Sequence, residues 1–173
     1  WRQWRGPGRT GSIDSVPMQK TLPPKGVEAV WKFEGFQGGN SGGWGSPVIS
    51  DGHVFVYSHT KIQTGEPGEK KYPWLAPDKR VGMTDQEYQE YEVKRRAEDD
   101  RRAKAYRFEQ RLLCLSLKTG EVIWDKRTPG VYTRFVQSGT PCVADGKVFI
   151  LGPERTAFCH DASTGEVIWQ QRL

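Results

Sequence analysis

The sequence predicts an all-β fold assembled from repeated four-stranded antiparallel units, and three observations predict it. The segment Gly45-Ser46-Pro47-Val48-Ile49-Ser50-Asp51-Gly52-His53-Val54-Phe55-Val56 returns as Gly139-Thr140-Pro141-Cys142-Val143-Ala144-Asp145-Gly146-Lys147-Val148-Phe149-Ile150. A second segment, Leu113 to Trp124, returns as Phe158 to Trp169, 45 positions further on. Finally, 20 Gly and 7 Trp in 173 residues suit short strands and tight turns better than a helical bundle.

The elements follow in order. Residues 1–30 form an N-terminal segment that carries Trp1 and Trp4. Trp31 lies 14 positions before Gly45, much as Trp124 lies 15 before Gly139, so Trp31 reads as the end of a preceding partial unit. The first unit then spans 31–124. Asp51-Gly52 and Asp145-Gly146 each separate two apolar runs, and this dipeptide favours the two-residue turn whose twist matches a hairpin. Pro47 and Pro141 sit at strand starts, where a missing N–H is tolerated. Thr119-Gly120 and Thr164-Gly165 punctuate a second hairpin in each unit. The second unit spans 125–173. A period of 45 fits a radial stack of blades, a β-propeller. Propellers need four or more blades, so two units make a partial one, and the chain reads as the N-terminal part of a longer propeller.

The first unit carries 49 residues more than the second between its two hairpin glycines, at about 60–110. Residues 60–83, with Gly65, Pro67, Gly68, Pro73 and Pro77, read as a loop. Residues 84–110 read as one long charged helix. Thr84 and Glu87 match a capping box, and Glu90/Lys94, Glu92/Arg96, Glu98/Arg102 and Asp100/Lys104 set acid before base at i, i+4. Tyr88, Tyr91, Val93, Ala97, Ala103, Tyr106 and Phe108 do not gather on one narrow face. The helix reads as a solvated arm first, then as a partner contact through Tyr88, Tyr91 and Tyr106, and last as a basic helix for nucleic acid.

The second hairpin reads Cys159-x-Asp161-x-x-Thr164-Gly165-x-x-x-Trp169, and its earlier copy Cys114-x-Ser116-x-x-Thr119-Gly120-x-x-x-Trp124. This pattern resembles the tryptophan-docking motif of pyrroloquinoline-quinone (PQQ) type β-propellers, with Cys for the usual small Ala and, in the first copy, Ser for Asp. The resemblance implies that Trp124 and Trp169 pack between neighbouring blades, with Thr119, Gly120, Asp161, Thr164, Gly165, Cys114 and Cys159 as structural docking residues. The opening Trp1-Arg2-Gln3-Trp4-Arg5-Gly6-Pro7 is similar to the mature N-terminus of exported propellers of planctomycete-like bacteria. That implies a periplasmic or extracellular location, and the resemblance also implies that residues 1–30 supply a strand completing a blade begun at the other end, with Trp1 and Trp4 as anchors.

The resemblance also brings in quinoprotein dehydrogenases, which hold their quinone with a metal ion, an Asp, an Arg and often adjacent cysteines. No vicinal Cys pair and no recognisable metal-site carboxylate occurs here, so PQQ with Ca²⁺ is implied only if later blades supply the ligands. Cys114, Cys142 and Cys159 show no metal spacing. His53, His59 and His160 are scattered. The Gly-rich tract 38–45 lacks the Lys of a phosphate loop. No catalytic, cofactor or metal residue is assigned. The net charge of +5 arises from interspersed charges, which argues against nucleic acid as a partner, and no apolar run is long enough to span a membrane. The expected function is a non-catalytic propeller acting as a protein-interaction or scaffold module, its partners including the rest of the propeller or other copies. The alternatives are the N-terminal part of a PQQ-dependent oxidoreductase, and an oligomeric surface component that uses the inserted helix for contacts.

Overall fold

The computed structural model describes residues 2–6, 8–12, 21–36, 45–134 and 139–173; Trp1 and all but the last residue of the glycine tract lie outside the described residues. Within them the chain is mostly β, with two four-stranded antiparallel sheets and one α-helix. Strands β1 (Val48–Ser50), β2 (His53–Gln63), β3 (Tyr106–Ser116) and β4 (Val122–Pro129) make the first sheet in that spatial order. Helix α1 (Asp85–Ala103) lies between β2 and β3 in sequence. The second sheet runs β5 (Cys142–Ala144), β6 (Lys147–Leu151), β7 (Thr156–Asp161) and β8 (Val167–Arg172).

The hairpins turn where the sequence places turn residues. Asp51 and Gly52 have φ of 50° and 76°, and Asp145 and Gly146 have 48° and 69°. Two successive positive φ values define the turn that fits a twisted hairpin. In the second hairpin of each sheet, the Gly120 N–H donates to Ser116 O and the Gly165 N–H to Asp161 O, both at 2.8 Å. The Asp161 carboxylate accepts the Ser163 and Thr164 N–H groups at 2.9 Å each. At the equivalent place Ser116 Oγ accepts the Thr119 N–H at 3.2 Å. Serine can thus replace aspartate in the first copy, with one bond in place of two.

Registers coincide across the repeat. Val48, Phe55, Cys114 and Trp124 stand opposite one another across the first sheet, as Cys142, Phe149, Cys159 and Trp169 do across the second. Each sheet bulges just past its cysteine, at Cys114/Leu115 and at Cys159/His160. Directly opposed residues share a face. The Cys–Trp face of the first sheet packs against the opposite face of the second, where Val143, Val148 and Ile150 lie, giving one shared core. The other face of the first sheet, with Val54, Leu113 and Leu115, is covered by Trp31, Phe33 and Phe36.

The insertion corrects one expectation. The helix ends at Ala103, and residues 106–110 continue β3, pairing with 59–63 of β2. The expected loop 60–83 likewise loses its first four residues to β2 and holds a short 3₁₀ turn at Pro77–Arg80. Tyr106, Phe108 and Gln110 alternate with Arg107 and Glu109 at a period of two, which suits a ladder and not a helix. Tyr106 and Phe108 had no place on a helical stripe because they belong to a strand. The capping box at Thr84 forms as its residues predict, and the helix is about 28 Å long instead of about 40 Å. Residues 2–6 and 8–12 contain turns, and Arg2 meets the second sheet where the Val143 N–H donates to Arg2 O at 2.8 Å.

Candidate functional site

The seam between the sheets is built on repeated geometry. The indole Nε1–H of Trp124 donates to Ala162 O at 3.1 Å. Its ring lies so close to Gly165 that a Cβ there would come within 2.8 Å of it. Gly165 also has φ +73°, so a side chain is excluded by both backbone and space. One repeat earlier, Trp31 Nε1–H donates to Leu117 O at 2.9 Å, and a Cβ on Gly120 would meet the Trp31 ring at 2.6 Å. Leu117 and Ala162 are equivalent positions. The same contact therefore occurs twice, each time from a tryptophan to the Thr-Gly turn that follows in the chain. Lys126 adds an ion pair to Glu166 across the seam.

Trp169 breaks this equivalence. Trp124 is 8% exposed and Trp169 44% exposed, although both face a buried cysteine and both lean on a phenylalanine, Phe55 or Phe149. Leu151, equivalent to the buried Tyr57, is 56% exposed. The Cys–Trp face of the second sheet thus presents an apolar surface of the kind that the first sheet buries.

Cys114 and Cys159 are both fully buried and unbridged. Burial pushes the Cys114 thiol up to about 11 and also raises that of Cys159. Such thiols are poor nucleophiles, because the thiolate is the reactive form. The Tyr57 phenol is raised by burial and donates to Gln110 Oε1 at 2.8 Å. His59 is fully buried, stacks on Phe108 and holds Val131 O at 3.1 Å; burial lowers its pKa. Among the described residues no group of His, Cys, Asp or Glu side chains is arranged to hold a metal ion, and no helix is long and apolar enough to cross a membrane.

The predicted partner residues of the inserted arm are engaged within the chain. The Tyr91 hydroxyl donates to Pro73 O at 2.7 Å, and its ring meets Tyr72 edge-on. Arg80 lies over the Tyr88 ring at 4.4 Å, and Lys61 over Tyr106 at 5.2 Å. Of the expected i, i+4 pairs, Glu92/Arg96 forms at 3.8 Å. Glu98 instead turns into the loop, where its carboxylate accepts the Lys71 N–H at 2.9 Å and the Tyr72 N–H at 2.8 Å. Asp100 accepts from Tyr132 Oη at 2.9 Å and pairs with Arg134. The helix therefore fastens loop 64–84 to the rest of the arm. Pairing rules on a single helix see only local partners, so sequence reasoning missed the partners of Glu98 and Asp100.

A second missed residue is Arg111. Its guanidinium makes two bonds to Asp125, at 2.8 and 2.9 Å, donates to Gly35 O, and stacks on Phe36 at 5.0 Å. It clamps residues 33–36 to the first sheet. Burial works against ionisation of Asp125, yet bonds from Arg111 and Arg127 hold its carboxyl below the usual value. Only the strand register places Arg111 beside Asp125.

Residues 108–173, less than half of the chain, match the family described as outer membrane protein assembly factor BamB. No curated protein matches the chain. Among solved structures, the crystal structure of BamB from Moraxella catarrhalis aligns at 19% identity and a TM-score of 0.31, over 39% of this chain and 20% of that one. The alignment thus spans about one fifth of that protein's length.

Proposed function

We propose that the two sheets are consecutive blades of a β-propeller and that the protein is a non-catalytic interaction or scaffold module in the periplasm or at the cell surface. The observation that carries this reading is the repeated contact of Trp31 with Gly120 and of Trp124 with Gly165. A contact that repeats with the chain generates a stack, and a closed ring is the arrangement that leaves only short strand edges. In this reading Trp169 and Leu151 are covered by a further blade, from a longer chain or another copy. The match of residues 108–173 to an assembly-factor family supports a role in holding proteins together. The buried, high-pKa cysteines are packing residues.

Two measurements test this. A photo-crosslinker in place of Leu151, in cells making the protein, is expected to attach to another repeat of the same kind. Crosslinks scattered over unrelated surfaces would refute the stacking. Purified protein given PQQ and Ca²⁺ is expected to show no dye-linked oxidation of alcohols or sugars, and turnover above the protein-free rate would overturn the non-catalytic reading.

A further inference from the structure

The seam is not filled along its whole length. Outward from Trp124, the sheets part to leave a cleft of about 180 Å³, with Tyr57, Leu112 and Thr128 on one wall and Ile150, Phe158 and His160 on the other. Tyr57 and Gln110 on the first wall are engaged. The Tyr57 hydroxyl donates to Gln110 Oε1, and Gln110 Nε2 donates to Pro129 O at 3.4 Å. His160 differs. Its Nδ1 lies 2.9 Å from Gly165 O, and a carbonyl only accepts, so Nδ1 carries the proton. In the neutral ring Nε2 is then a lone-pair acceptor, and among the described residues it has no hydrogen-bond partner. The side chain is 6% exposed and lines the cleft.

We infer that this cleft is a binding site for a small planar apolar molecule carrying one hydroxyl donor, a phenol-like ring whose O–H donates to His160 Nε2. The volume fits one ring, since a dry apolar cavity of about 150 Å³ accepts benzene. Largely apolar walls from two sheets with a few polar groups, His160 among them, are the usual make-up of such sites. The position gives the site a consequence, because a molecule held there touches both sheets and strengthens their contact.

The test is a titration of the protein with phenol and, separately, toluene, followed by amide and imidazole NMR shifts. Phenol is expected to shift the Ile150, Phe158 and His160 signals and to move the His160 Nε2 resonance. Toluene is expected to bind about five- to tenfold more weakly, the value of one hydrogen bond to a buried acceptor, without moving Nε2. Thr128→Phe fills the cleft from an exposed strand position and is expected to abolish both titrations while the rest of the spectrum stays unchanged. His160→Phe is expected to bring phenol down to the toluene affinity. Equal affinities for the two probes in the wild-type protein, no saturable shift with either, or binding that survives Thr128→Phe would each overturn the inference.

Discussion

Replacing Trp124 by alanine is expected to destabilise the protein by about 3 kcal/mol more than the same change at Trp169. The two residues are equivalent in sequence and register, so intrinsic strand preference cancels in the comparison. Their exposures differ, 8% for Trp124 and 44% for Trp169. Applied to a side chain that can bury about 250 Å², that gap is roughly 90 Å² of surface, or about 2 kcal/mol at about 25 cal/mol per Å². The Trp124 Nε1–H also donates to Ala162 O at 3.1 Å, a bond that contributes about 1 kcal/mol net. The assay is urea denaturation followed by far-ultraviolet circular dichroism, with both variants compared at equal slope against denaturant. Equal midpoints for Trp124→Ala and Trp169→Ala would refute the reasoning, because the indole at 124 would then not join the sheets.

Two further outcomes follow from the arm and the clamp. Arg111→Ala leaves Asp125 half-buried beside one remaining guanidinium and frees Gly35 O, with an expected cost of about 2 kcal/mol; faster amide exchange across residues 33–36 checks it, and unchanged exchange counts against the clamp. The Glu98 carboxyl is held below its usual value, first by the Lys71 N–H and also by the Tyr72 N–H. Since its folded pKa is depressed, its contribution is present above the unfolded value of about 4.3 and is lost as pH falls through the folded value. Acidification is therefore expected to speed amide exchange at Lys71 and Tyr72, and Glu98→Gln to do so at neutral pH; protection that is independent of pH would show that the loop is held by other contacts.

Local chemistry in the sequence determined the repeat, the four hairpin turns, the paired faces and the start of the helix. Asp-Gly and Thr-Gly need particular φ values, and alternating or capping patterns act over a few residues, so each is legible without knowledge of the fold. The end of the helix was not legible. Acid–base spacing continues through Lys104, and only pairing of 106–110 with 59–63 draws that stretch into a ladder. Equally hidden were the partners of Glu98 and Arg111, the cleft at His160, and the unlike fates of Trp124 and Trp169. Those depend on which surfaces meet across tens of residues, and two equivalent motifs differ in burial when, among the described residues, only one of them has a neighbouring sheet to face.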